Sequence, residues 1–326
     1  MNFLIEKYDS SCMFNEVKDL FISEYGTEHI GLNGEFFKLF YDSNFQKEKV
    51  IAIVAKHEGK ICGFQAIFYW PYIYNGIELN TYQSGNSLVH PNYRGKGLFA
   101  LMLKDIESKA LASNVDFLIG FPVQMSFNSF IKAGWINTFN LQWHIKIINL
   151  STLFNKQKIK LENFEVLSKN TKNFFNKDEN FKNSFYLNPQ KEFSNWRISL
   201  RSYRMNKVYL FTYENNGKFI HFELKPNYRN RIKEIIIGKI HYNKNDELLL
   251  QEALDNLISK LKVSNVTILS FCNNILFEDK FFNNFIKLNF YKLNKSIYFI
   301  TKNINYRFII NESTKWRIFR SDVDTW

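Results

Sequence analysis

Two apolar runs, Val50-Ile-Ala-Ile-Val-Ala-Lys56 and Ile61-Cys-Gly-Phe-Gln-Ala-Ile-Phe-Tyr-Trp70, flank a turn at Glu58-Gly59-Lys60 and predict a pair of adjacent strands. Thr81 to Val89 predicts a third strand, and Leu98 to Leu111 an apolar-faced helix. The short run Asp116-Phe-Leu-Ile-Gly-Phe121 suits a strand buried on both faces. A further helix is predicted over Ser126 to Ala133, closed by Gly134, because a left-handed residue commonly ends a helix.

The second half repeats this order. Val208 to Thr212 and Lys218 to Leu224 flank Asn215-Asn216-Gly217, and Ile235 to His241 supplies a third strand. An amphipathic helix over Glu247 to Leu261, a buried strand over Val266 to Phe271 and a helix over Phe281 to Leu288 follow. Phe130-Ile-Lys-Ala-Gly-Trp135 reappears as Phe285-Ile-Lys-Leu-Asn-Phe290. The pattern predicts an α/β chain with two copies of one mixed-sheet unit.

Between Val89 and Leu98 lies His90-Pro91-Asn92-Tyr93-Arg94-Gly95-Lys96-Gly97, a glycine-rich basic turn joining a strand to a helix. Two glycines let a backbone approach phosphates without a Cβ in the way, and the helix N-terminus presents N–H groups to them. The spacing is neither G-x-G-x-x-G nor G-x-x-x-x-G-K-[ST], so it fits neither a dinucleotide fingerprint nor a P-loop. The corresponding stretch of the second copy, Tyr242-Asn-Lys-Asn-Asp-Glu247, has no glycine. That copy is expected to lack the phosphate loop.

Composition narrows the classes. With 326 residues, 45% hydrophobic and 17% aromatic, the chain holds material for more than one core. No apolar run of about 18 residues is present, and the N-terminus lacks a signal-peptide core, so a cytoplasmic protein without membrane insertion is expected. The formal charge is +12, but its cations form no stripe, which argues against nucleic acid and is compatible with phosphate-bearing ligands. Cys12, Cys62 and Cys272 are widely spaced, and the histidines show no ligand spacing, so neither a disulfide framework nor a metal site is expected.

Arg94-x-x-Gly97 after Val-His-Pro, with the surrounding strand and helix order over roughly Val50 to Trp135, resembles the acyl-CoA loop of the GNAT N-acyltransferases. The resemblance implies tandem GNAT-like domains, the second degenerate, over 1–150 and 151–310, with a tail at 311–326 docking on the body. It implies acyl-CoA as co-substrate, held by Leu88, Val89, Arg94, Gly95, Lys96, Gly97, Leu98 and Phe99. Phe99 departs from the small residue usual there and is expected to narrow the cofactor channel. Glu192-Phe-Ser-Asn-Trp196-Arg197 resembles a segment of two-domain members, several of which act on nucleotide-linked amino sugars. On that resemblance Trp196 and Arg197 are acceptor-binding candidates, although a core tryptophan with a surface arginine is an equal reading; Ser84 is a third candidate as a polar group facing the cleft.

Where many members carry a glutamate base the chain has Gln83, and where they carry a tyrosine acid it has Phe130. Gln83 and Asn86 are therefore polar cleft candidates, and Asp322 and Asp324 are candidates for the proton acceptor. Glu78 and His90 are further candidates, with water as the alternative base, and loop geometry is the stronger reading of His90. Backbone N–H groups near Leu88 and Val89 are expected to polarise the thioester. The expected reaction transfers an acetyl or 3-hydroxybutanoyl-type group from acetyl-CoA or 3-hydroxybutanoyl-CoA to the amine of a dTDP-linked deoxyamino sugar. The alternatives are a protein or small-molecule amine as acceptor, or a non-catalytic acyl-CoA-binding protein.

Overall fold

The computed structural model describes residues 1–27, 34–168, 183–188, 190–203, 207–242, 247–274, 285–287, 289–310 and 314–323. Strand β1 (Leu4–Lys7) leads into helices α1 (Ser10–Tyr25) and α2 (Gly34–Tyr41), then strands β2 (Ile51–His57) and β3 (Lys60–Tyr69). A small hairpin of β4 (Tyr72–Tyr74) and β5 (Ile77–Leu79) precedes β6 (Thr81–Val89), helix α3 (Leu98–Ala112), β7 (Phe117–Gly120), helix α4 (Gln124–Lys132) and β8 (Ile136–Ile147). The second half comprises β9 (Glu165–Val166), β10 (Phe185–Leu187), helix α5 (Lys191–Tyr203), β11 (Tyr209–Asn215), β12 (Lys218–Arg229) and β13 (Ile232–Tyr242). Helix α6 (Glu247–Val263), β14 (Ile268–Asn273), β15 (Tyr291–Asn303) and β16 (Trp316–Arg317) complete it.

Two compact units result, Met1–Phe139 with Tyr298–Thr314, and Asn140–Ile297 with Lys315–Trp326. This corrects the linear division at 150 and 310. The reason is an exchange of closing strands. The end of β15 pairs antiparallel with β7, from Ile300↔Gly120 to Asn303↔Phe117, and so belongs to the first unit. Strand β8 pairs antiparallel with β14, from Ile268↔Ile147 to Asn273↔Gln142, and belongs mainly to the second. The last strand of each half therefore completes the sheet of the other half.

In the first unit the strands run in the order β1, β2, β3, β6, β7, β15, with only β6 and β7 parallel. Helix α3 makes the crossover that a parallel pair requires. Its buried stripe of Leu98, Met102, Leu103, Ile106 and Ala110 packs with Ile53, Ala55, Ile67 and Leu118. Each leucine, isoleucine or methionine among them contributes on the order of 1.5–3 kcal/mol when fully buried. Gly63 makes the close approach possible, since a Cβ there would lie 2.8 Å from Met102 Sδ. Helices α1 and α2 bring Phe21, Phe37, Phe40 and Tyr41 to rings of β3, Phe64 and Phe68. Helix α1 starts where the Asp9 carboxylate accepts from Ser11 N–H at 2.8 Å, a side-chain cap on an otherwise unpaired donor.

The second unit repeats the design. Strands β9, β11, β12, β13, β14 and β8 lie in that order, with β13 and β14 parallel. Leu250, Leu254, Leu257 and Leu261 of α6 join Phe222, Ile235, Ile237, Leu269 and Phe271 in one core. Of the helix expected over Phe281 to Leu288, residues 285–287 are helical and the others lie outside the described residues. The same holds for residues 243–246 of the loop expected to lack glycine.

Candidate functional site

Strands β6 and β7 pair from Thr81↔Phe117 to Ser84↔Gly120, where β7 ends while β6 continues to Val89. The pairing of β6 with β3 slips between Phe64 and Ala66, and within the slip Asn86 adopts a left-handed φ of 52°. This is a β-bulge, which re-aims a strand. Beyond it His90 N–H donates to Cys62 C=O at 2.9 Å. In an antiparallel ladder hydrogen-bonded and non-hydrogen-bonded pairs alternate, so Leu88 opposite Phe64 spends its N–H on β3. Val89, opposite Gly63, turns its N–H the other way, into the gap left by β7. Of these two residues, Val89 is the one whose N–H turns away from β3.

The glycine loop closes one end of this gap. Gly95 and Gly97 have φ of 74° and 78°, and a Cβ on either would meet no atom within 4 Å. Gly97 caps α3 without a side-chain hydrogen bond, which leaves the N–H groups of the first helical turn for an anion. Arg94 does not reach over the loop. Its guanidinium pairs with Glu24 of α1, and its Nε donates to Val89 C=O at 3.1 Å. Lys96 folds back likewise, Nζ donating to Asn92 C=O at 2.8 Å. His90 Nδ1 accepts from Asn92 N–H at 3.3 Å, so this side chain shapes the turn. The cations brace the loop, and the backbone supplies its anion-binding donors. Phe99 packs edge-to-face on Phe130 at 5.2 Å, and Phe130 on Trp135 at 4.9 Å. Leu98 lies in the core beneath.

Polar groups of β6 sit on either side of the bulge. Ser84 Oγ accepts from Gln65 Nε2 at 3.0 Å. Gln83, opposite Phe68, is 1% exposed, and its Oε1 has no hydrogen-bond partner among the described residues. Asn86 Nδ2 donates to the hydroxyl of Tyr41 at 2.7 Å. Burial pushes the Tyr41 hydroxyl well above the ordinary tyrosine range. Tyr8, whose ring lies 6.1 Å from that of Tyr41, has a buried hydroxyl that lacks a partner among the described residues. Tyr41, Tyr8 and Gln65 were not singled out by sequence; no spacing says which ring of an aromatic helix will face a bulge. Glu78 accepts from the Tyr69 hydroxyl at 2.6 Å.

The other candidates lie in the second unit. Trp196 and Arg197 are buried, and Arg197 Nη2 donates to Val323 C=O at 3.0 Å. Neither presents an open face for a base or phosphate: Trp196 takes the core position that was the other reading, and Arg197 is enclosed where that reading had it at the surface, fastening the C-terminal segment. Asp322 is also enclosed, Oδ2 accepting from Phe319 N–H at 2.9 Å and Oδ1 lying 3.5 Å from Lys239 Nζ. Its carboxylate thus caps its own turn and pairs with a lysine, a structural use in place of the catalytic one expected. Asp324 lies outside the described residues. The second unit has a fork too, since β13 and β14 pair only from Glu234↔Ile268 to Ile237↔Phe271. Asn273 pairs with Gln142 on one edge and bridges Phe319 on the other, so the C-terminal segment occupies this fork. Among the described residues no three His, Cys, Asp or Glu side chains are grouped to hold a metal, and no helix is long and apolar enough to cross a membrane.

Residues 14–129 match the Acetyltransferase (GNAT) family. No curated protein sequence matches the chain. Among solved structures, a GCN5-related N-acetyltransferase from Anabaena variabilis ATCC 29413 is similar over 94% of this chain and 74% of its own, with TM-score 0.65 and 12% identity. A tandem GNAT protein from the clavulanic acid biosynthesis pathway is similar over 93% of this chain and 99% of its own, with TM-score 0.54 and 11% identity. Saccharomyces cerevisiae N-myristoyltransferase, solved with myristoyl-CoA, is similar over 93% of this chain and 79% of its own, with TM-score 0.55 and 13% identity. The chain has the mixed α/β GNAT fold in tandem, and the family that its residues 14–129 match is one of acyltransferases, a class that uses acyl-CoA as co-substrate.

Proposed function

We propose that the first unit binds acyl-CoA across the β6–β7 fork and transfers the acyl group to an amine. One observation carries this reading: the strands part after Ser84 and Gly120, directly beside a loop whose two left-handed glycines face open space. The loop N–H groups of Gly95 to Phe99 receive the pyrophosphate. Val89 N–H donates to the thioester carbonyl, stabilising the charge that grows on its oxygen as nitrogen attacks. Gln83 Oε1 accepts an N–H of the incoming amine and orients it; an amide cannot take the proton away. Positioning of the two reactants supplies several kcal/mol of the rate enhancement.

For the acceptor, a dTDP-linked deoxyamino sugar rests on the resemblance at Glu192 to Arg197, whose aromatic and cationic side chains are enclosed. The rings of Phe37, Phe40, Tyr41 and Phe68 near Gln83 are enclosed as well. Their apolar character beside Gln83, and not an open face, is the ground on which we prefer a small-molecule amine carried on an apolar body. Thiol release from acetyl-, butanoyl- and 3-hydroxybutanoyl-CoA, with phenethylamine, spermidine or dTDP-3-amino-3,6-dideoxygalactose, tests the assignment. Release dependent on the aromatic amine supports it, release dependent only on the nucleotide sugar reverses the choice of acceptor, and acyl-CoA binding with silence towards all three indicates a non-catalytic binder.

A further inference from the structure

We propose that Tyr41, held at the bulge of β6 by Asn86, relays a proton from the attacking nitrogen to the departing sulfur. The inference rests on the fork being the seat of the thioester. Asn86 is the second residue of β6 after Ser84, whose pairing with Gly120 is the last before the fork opens, and its amide holds the Tyr41 hydroxyl.

The direction of the hydrogen bond leaves Tyr41 with a proton to use. The Asn86 amide donates and the phenol oxygen accepts, so the phenol hydrogen needs another acceptor, and none is found among the described residues. Tyr41 is only 2% exposed, and a buried polar hydrogen left without a partner is costly. A sulfur atom arriving in the fork would accept it. Asn86 itself is held at φ 52°, a conformation glycine adopts more easily, and its side chain is the part of the residue that glycine would lack. The Tyr41 ring is fixed by stacking on Phe37 at 4.2 Å and by Phe64 and Phe68 at 5.8 and 5.2 Å.

The surroundings suit a relay without separated charge. The rings packed on Tyr41 are those of Phe37, Phe40, Phe64, Phe68 and Tyr8, none of which is charged. Burial, opposed by the Asn86 hydrogen bond and aided by Tyr8, raises the phenol well above its ordinary range, so it stays protonated until sulfur takes the hydrogen. As the C–N bond forms and the C–S bond breaks, the electron pair of the latter goes to sulfur. Tyr41 O–H gives its proton to that sulfur, and the phenol oxygen takes the proton that nitrogen releases. An amide and a free thiol result, with Tyr41 unchanged. Phe130, where the family resemblance would place a tyrosine donor, has no hydroxyl for this step.

The test uses the full chain with acetyl-CoA, hydroxylamine serving as a small nucleophile, in wild type, Tyr41→Phe and Asn86→Gly. Calorimetry gives the acetyl-CoA affinity, and hydroxamate and thiol release give turnover. Both variants should keep the affinity while turnover drops, by about a hundredfold in Tyr41→Phe, a usual size for loss of one proton-transfer group. Asn86→Gly should also melt no lower than wild type, because it relieves the backbone; a purely structural Asn86 side chain would lower the melting temperature and leave turnover alone. Wild-type turnover in either variant overturns the relay, and Asn86→Gly decides the matter if Tyr41→Phe fails to fold. Wild type that binds acetyl-CoA but leaves hydroxylamine unacylated overturns it too. Failure of wild type to bind acetyl-CoA at all would instead overturn the fork reading beneath it.

Discussion

Arg94 of the glycine loop pairs its guanidinium with the Glu24 carboxylate on α1, a residue far away in sequence. The same side chain holds Val89 C=O through Nε, so one arginine ties the loop, the end of β6 and the first helix together. If the loop receives acyl-CoA as proposed, this arginine acts by holding the loop in shape. Arg94→Ala should raise the KM for acyl-CoA about tenfold with little change in kcat, the pattern of a lost uniform binding term. Glu24→Gln should raise it less, since a partly exposed ion pair contributes only about 0.2–1 kcal/mol. Steady-state kinetics on both variants checks this; an unchanged KM in Arg94→Ala would remove the loop from the cofactor site.

Gly97 offers a sharper probe of the loop. A side chain at φ 78° costs about 1–2 kcal/mol, yet no atom lies within 4 Å for it to strike. Gly97→Ala should fold with a modest loss of stability. Its methyl group would occupy the open space from which phosphate approaches, so acyl-CoA affinity should fall by more than the stability loss alone predicts. Titration calorimetry beside thermal melts separates the two.

The local parts of this site were legible before the fold was seen. Strand β6, the glycine loop and the start of α3 stand where alternation and turn chemistry put them, because each is decided by neighbours along the chain. The repeated order of the second half was legible for the same reason. The unit boundaries were not. Nothing in the pattern of Ile136–Ile147 says that it will pair with β14, or that Tyr298 onward will pair with β7, since strand partners are chosen by long-range packing. Sequence left Trp196 open between a ligand-facing and a core position, because amphipathic residues look alike whether they grip a ligand or a chain end; the structure encloses it, and Arg197 with it. Tyr41 escaped notice because its importance comes from one hydrogen bond to Asn86.

Acid should loosen the second unit in two steps. Burial, with the nearby His241 charge, depresses the His221 pKa from 6.5 to about 4. Burial opposes ionisation of Glu223, but the His241 hydrogen bond and the charges of His241, Arg201 and Lys239 prevail and lower it from 4.5 to about 2. Both groups bind protons less readily folded than unfolded, so their contribution is complete above pH 6.5 and declines as pH falls. His221 acts between pH 6.5 and 4 and is worth up to about 3 kcal/mol, and Glu223 acts between pH 4.5 and 2. Melting temperatures should fall from pH 7 to pH 4, and His221→Gln should flatten that decline. An equally steep decline in the variant would exclude His221 as its source.

Phe319 fills the second fork, and its removal should show what the C-terminal segment contributes. Its ring is 2% exposed, lies 6.4 Å from that of Phe271, and carries Lys239 Nζ 5.7 Å from its centroid. Phe319→Ala leaves a cavity in a closely packed place and should cost about 3–5 kcal/mol. Lys239→Met, which removes the lysine beside the enclosed Asp322 carboxylate, should destabilise as well. Denaturant unfolding of both variants makes the comparison. A Phe319→Ala protein as stable as wild type would mean that the fork is held shut by β13 and β14 alone, and that the segment merely rests on it.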